Sequence, residues 1–179
     1  MQIKGSLFHL IIIYIGLISV SAYSYLKLRD VPKTAYINSI TLYNNFEMKQ
    51  EYEKKLTATV NTRKWILDSL MMDLKVYSEQ IKSGKADELK IGRFALLKQS
   101  YLEREKTFAE DNEKLKEEYN QAIWTQLNQY IKEFGQEHRY DYIFGADGSG
   151  NIMFASEAVE ITKGIEQYAN VRYKGGAEK

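Results

Sequence analysis

Apolar positions along the chain fall into three regimes, and each predicts a different element. The first is continuous. Leu7 to Leu26 holds 15 apolar residues in 20 with no acidic or basic side chain. At the helical rise per residue such a segment spans about 30 Å, the hydrocarbon thickness of a bilayer. Two readings stay open for residues 1–26. A cleavable export signal would use Lys4 as its positive start and Val20-Ser21-Ala22 as the small-residue cleavage site. An uncleaved anchor would use residues 7–26, with Tyr23 and Tyr25 at the interface and Lys27 and Arg29 just outside. Either way, residues from about 27 onward are expected outside the cytoplasm. His9 in the apolar run is read as incidental rather than as a functional intramembrane group. Residues 27–33, with Pro32, form a linker.

The second regime is strictly periodic. Thr34 to Ile40 alternates and predicts a short strand over 34–40. From 41 to 139 the period becomes helical. Leu56, Val60, Arg63, Leu67, Leu70, Leu74, Tyr77 and Ile81 recur in steps of four and three, the spacing of a coiled-coil seam. Arg63 is the one polar member, either setting register or snorkelling out of the seam. Ser83-Gly84-Lys85 marks a turn near 83–86, and Asp87 suits the start of the next helix. A second series runs Phe94, Leu97, Tyr101, Arg104, Phe108, Asp111 and Leu115, then Tyr119, Ile123, Leu127, Tyr130 and Phe134 in a slipped phase. Two helices of roughly 40 and 50 residues, joined by a tight turn, form an antiparallel hairpin about 60 to 75 Å long. Such a pair cannot enclose a core of its own, so it must oligomerise or present a binding surface.

The third regime returns to short apolar runs. Tyr140 to Ala146 and Asn151 to Ala155 bracket Asp147-Gly148-Ser149-Gly150, which predicts a β-hairpin over 140–155. A terminal helix follows over 160–173, with Ile161, Ile165 and Tyr168 on one side, and residues 174–179 form a frayed tail. The fold class is therefore α+β: a long antiparallel helical-hairpin arm on a small β body, preceded by a transmembrane or signal helix.

Composition narrows the chemistry. A single proline in 179 residues fits long unbroken helices, and the absence of cysteine excludes disulfides, thiol nucleophiles and Cys-ligated zinc. Lysine plus arginine (25) nearly equals aspartate plus glutamate (24), so net charge gives no case for nucleic acid. Glu103 to Glu118 is laced with lysine and reads as a solvated helix face rather than a catalytic carboxylate pair. His9 and His138 are too far apart in the expected architecture to form a metal or acid–base pair. Asp147, Ser149 and Asn151 have the alternation that opens a calcium loop, but the closing glutamate would fall at Ala158, so a turn is the better reading. No cofactor and no enzyme activity are expected.

The order of elements, with these residues in view, resembles the Skp (OmpH-type) family of periplasmic chaperones over about residues 33 to 173. TAYINSITLYNNFEMKQEYEKKL is similar to that family's opening strand running into the first arm, and YDYIFGADGSGNIMFASEAVEITKGI to its closing hairpin and last helix. The resemblance implies a homotrimer whose pooled β elements form a body and whose arms surround unfolded outer-membrane proteins, without ATP. It places Tyr36, Ile37, Tyr142, Ile143, Phe144, Ile152, Met153 and Phe154 in that body. Client contact would come from arm aromatics, with Tyr52, Trp65, Tyr77, Phe94, Tyr101 and Phe108 as candidates, joined by Tyr119 and Trp124 and by Met48, Met71 and Met72. Most of these are expected to hold one arm helix against the other.

Family members are often strongly basic, whereas this chain is neutral, so no lipid contact is carried over. The expected location is the periplasmic face of the inner membrane through residues 7–26, or the soluble periplasm if the N-terminus is cleaved. The competing expectation is a membrane-tethered coiled-coil adaptor or structural protein of the cell envelope, without chaperone activity.

Overall fold

The computed structural model describes residues 3–29 and 31–177; the side chains of residues 3–8, 10, 11, 26, 28, 29, 176 and 177 lie outside the description. The side chains of Lys4 and Arg29, the expected flanking charges, and the last two residues of the expected tail lie outside the described residues. The elements run α1 (Ile3–Arg29), β1 (Thr34–Asn38), α2 (Ser39–Asn45), α3 (Glu47–Lys82), α4 (Glu88–Glu137), β2 (Tyr142–Ala146), a 3-10 turn (Glu157–Val159) and α5 (Thr162–Ala177). The apolar N-terminal run is thus helical. Among the described residues, no helix is long and apolar enough to cross a membrane.

Local chemistry explains where the helices begin and stop. The Asn38 side chain accepts from the Thr41 amide at 2.9 Å and caps α2. Asp87 does the same for α4, accepting from the Lys90 amide at 2.9 Å. Between them α3 ends at Lys82 and the chain turns at Gly84, whose φ of 68° lies in the left-handed region that glycine enters without strain. The amides of Gly84 and Lys85 there reach back to the carbonyls of Ile81 and Gln80 at 3.1 and 3.0 Å.

Helix lengths then decide the sheet. The arm helices have 36 and 50 residues, and the excess carries α4 about 21 Å beyond the start of α3. That overshoot carries the chain back past α2 and alongside the body. The chain therefore returns to the N-terminal end of β1, and β2 pairs with β1 in parallel, from Thr34 opposite Tyr142 to Asn38 opposite Ala146. Lys33 and Asp141 fasten the entry. The Asp141 amide donates to the Lys33 carbonyl at 2.8 Å, and the Lys33 amide donates to Asp141 Oδ2 at 2.6 Å.

This pairing corrects the hairpin expected over 140–155. Asn151–Ala155 forms no strand. Asp147 closes a tight turn by accepting from the Ser149 amide at 2.9 Å, and Gly148 and Gly150 both take positive φ. The chain does not fold back along β2; it proceeds through the 3-10 turn to bridge the far edge of β1, where the Ile161 amide donates to the Tyr36 carbonyl at 3.0 Å. Two boundaries also shift. The strand expected over 34–40 stops at Asn38 because its side chain caps α2, and the first arm is broken at Phe46 into α2 and α3. The terminal helix starts at Thr162 rather than 160 and continues to Ala177.

The core sits at the base of the arms, where α2, α3, α4 and α5 meet β1. Leu42, Phe46, Leu127 and Ile165 are its fully buried large side chains, with Ile37, Ile123, Phe134 and Ala169 around them. Thr162, the one buried polar residue among those described, accepts from the Asn38 amide at 2.8 Å and donates to Glu160 Oε1 at 2.9 Å, joining α5 to β1. Leu127→Ala is expected to lower the unfolding free energy by about 2–5 kcal/mol, measured by denaturant titration at fixed protein concentration.

Candidate functional site

Away from the base, each arm helix has only its partner to pack against, so one stripe is dry and the rest is wet. The dry stripe follows the expected seam except at Val60, which is exposed: Leu56, Leu67, Leu70, Tyr77 and Ile81 are partly buried, and Leu74 is buried. On α4, Phe94, Leu97, Tyr101, Phe108, Leu115 and Tyr119 are partly buried, whereas Arg104 and Asp111 face solvent.

Several expected client-contact aromatics turn out to hold the arms together. The rings of Tyr52 and Tyr119 meet across the helices at 4.5 Å. Tyr43 and Trp124 stack at 4.9 Å, and the Tyr43 hydroxyl donates to Asn120 Oδ1 at 2.6 Å. Met48 is buried in the base. Arg63 resolves its two readings in favour of a partner on the facing helix. Its guanidinium lies 5.4 Å from the Phe108 ring centre, donates to Asn112 Oδ1 and approaches Asp111 Oδ2 at 3.5 Å. Two of the three polar breaks in the apolar series, Arg63 and Asp111, are thus one interhelical contact.

Near the far end of the arms the seam opens into a groove of about 420 Å³ lined by Met71, Leu74, Phe94, Tyr101 and Leu102, with Lys75 and Lys98 at its rim. Other apolar side chains are exposed elsewhere on the arms. Trp65 and Met72 are each 71% exposed, and Leu89, Leu96 and Leu102 also face solvent. Leu89, Leu96 and Leu102 escaped the sequence reading because they lie off the seam, where apolar residues interrupt a polar face. That interruption was the available signal.

The β body presents a second apolar surface. A hollow of about 550 Å³ is lined by Tyr36, Phe144, Ile152, Met153, Phe154 and Val159, among others. Of the eight residues expected in the body, Ile37 is buried and Ile143 packs on the core. Tyr142 and Phe144 stack at 6.0 Å on the outside of β2, and Met153 and Phe154 are each 89% exposed.

Electrostatics concentrate where α5 meets the arms. Glu51 is held below the usual carboxylate value by hydrogen bonds from Lys55 and then Tyr173. Tyr173 is pushed up, first by burial and then by its bond to Glu51. Across the base, Glu137 Oε1 accepts from the Tyr168 hydroxyl at 2.8 Å and from Arg172 at 2.7 Å. Among the described residues, no three acidic or histidine side chains gather into a metal-binding group.

A family model described as outer membrane protein (OmpH-like) matches residues 33–167. A crystal structure of a Caulobacter crescentus chain described as an OmpH-like outer membrane chaperone shares the fold. Its TM-score is 0.68 at 11% identity, over 79% of this chain and 86% of that one. Among curated proteins, none matches the sequence significantly.

Two outcomes follow for the arm and its base. Tyr52→Ala is expected to cost about 1–3 kcal/mol of stability through lost ring packing, whereas Asp111→Ala, at a half-exposed pair, should cost under about 1 kcal/mol; chemical denaturation separates them. A carboxyl whose folded value is depressed contributes stability above its ordinary value and loses it as pH falls. Glu51→Gln should therefore flatten the acid limb of a melting-temperature profile below about pH 4.5.

Proposed function

Because the chain belongs to the OmpH-like outer membrane protein family, we propose that it is an ATP-independent periplasmic holdase that binds unfolded outer-membrane β-barrel proteins as a homotrimer. The observation that carries this reading is the arm. Two helices project from the base with an apolar groove between them and, elsewhere along their length, exposed tryptophan, methionine and leucine side chains. Flexible, polarisable or broad apolar side chains among charges give weak contacts without a fixed geometry. An unfolded chain can be retained by many such contacts and released without a chemical step.

The trimer rests on the body. A parallel pair of five-residue strands is too small to stand as an independent sheet, and the outer face of β2 exposes Tyr142 and Phe144 while Met153 and Phe154 stand almost fully in solvent. Association of three such bodies would cover these side chains and the strand edge together. Residues 151–155, which form no strand in the single chain, supply apolar surface for that contact.

The N-terminal helix serves export, and as an anchor it would hold the arms at the periplasmic face of the inner membrane. Between Ile12 and Val20 apolar side chains point to every side of its axis, with Ile12, Ile13, Ile15, Leu17, Ile18 and Val20 all more than half exposed. A helix apolar on every side suits a lipid or translocon environment rather than one face of a protein core. A mature N-terminus at Tyr23, read by mass spectrometry of the envelope protein, would replace the anchor with a cleaved leader.

The test uses the mature protein purified from the envelope. Solution mass should give three chains, and the trimer should suppress aggregation of an unfolded outer-membrane β-barrel diluted from denaturant, with no nucleotide present. Met71→Ser combined with Leu102→Ser should weaken suppression while leaving the mass and the melt nearly unchanged, since both side chains are already exposed. A trimer that leaves aggregation unchanged would instead favour an adaptor or spacer of the envelope.

A further inference from the structure

The first arm does not leave the body as a continuous helix. Phe46, between α2 and α3, has φ −73° and ψ 124°, an extended conformation that interrupts the helical hydrogen-bond ladder. A break of this kind strands carbonyls at the end of one helix and amides at the start of the next. Phe46 has no side-chain acceptor to offer, and its own amide reaches back only to the Tyr43 carbonyl at 3.4 Å. Its ring is committed elsewhere, buried edge-on against Tyr130 and Tyr173 at 6.1 and 5.6 Å.

The missing cap comes from another element. Asn170 on α5 straddles the break. Its Oδ1 accepts from the Glu47 amide at 2.9 Å, and its Nδ2 donates to the Asn45 carbonyl at 3.2 Å. One planar amide thus bonds the residue before the joint and the residue after it, which fixes their relative orientation. Neighbouring contacts brace the same joint. Asn45 Nδ2 donates to Glu166 Oε2 at 2.9 Å, and Lys174 pairs with Glu47 at 2.8 Å. The same helix grips the second arm through Tyr168 and Arg172 on Glu137.

We propose that Asn170 is the positioning residue that sets the angle at which the arm leaves the body, with Phe46 as the hinge it holds. A small rotation there has a long lever. With 36 residues in α3, a turn of 10° at the joint moves the arm tip by about 9 Å. Resting on the holdase reading above, this joint sets how widely the arms open around a client. The two backbone groups that Asn170 satisfies are only partly buried, so water can replace it and the variant keeps its fold while the angle loosens.

Asn170→Leu removes both bonds at similar size, and Asn170→Asp keeps the acceptor for the Glu47 amide. Amide exchange at Glu47 should accelerate roughly tenfold in Asn170→Leu and remain slow in Asn170→Asp. Spin labels on Lys85→Cys and Gln167→Cys, in full chain diluted with unlabelled chain, should give a broader tip-to-body distance distribution in Asn170→Leu, with the melt little changed. An unchanged distance distribution in folded Asn170→Leu would overturn the proposal. A broadened distribution with client suppression intact would leave the hinge standing and overturn its part in opening the arms.

Discussion

Two helices lying side by side can each bury only one stripe, and the fold of this chain is organised around that shortage. Along the arms the dry seam is one side chain wide, so no cross-section contains a closed core. Closure happens once, at the base, where α5 lies across both arm helices and Ile165 and Ala169 seal against Leu42, Phe46, Ile123 and Leu127. Each large side chain fully buried there contributes about 1.5–3 kcal/mol, and the small sheet draws on the same residues through Ile37 and Ile143. Arms, strands and terminal helix are therefore one cooperative unit anchored at one place.

The same shortage leaves apolar surface with nowhere to go. On the arms it becomes a shallow groove and a set of separated exposed side chains, and on the body a patch from Tyr142 and Phe144 to Phe154. These differ in character. Side chains spaced between charges suit contacts that form and break with a disordered partner, while a compact aromatic patch beside a strand edge suits a fixed partner of matching shape. Polar groups sort in parallel. Arg63 reaches across to Asp111 and Asn112 in the middle of the arm, and the carboxylates of Glu47, Glu51 and Glu137 are met by side chains of α5 at its root.

Periodicity alone determined the arm. Steps of three and four residues specify a helix and its buried stripe by geometry that needs no partner, which is why the seam from Leu56 to Ile81, the turn at Gly84 and the cap at Asp87 were legible from the sequence. The strand pairing was not. A short apolar run declares that it can be a strand but not which edge it joins, and the partner of β2 was chosen by the 14-residue excess of α4, which returns the chain to the start of β1. The aromatics divided the same way. Tyr52 and Trp65 look alike in sequence, yet one ring meets Tyr119 across the arms and the other stands in solvent, because only the register of two packed helices decides which side faces the neighbour. The cap at the Phe46 break lay furthest from view. It is supplied by Asn170, more than a hundred residues away, and no local pattern carries a contact that exists only when α5 has docked on both arms.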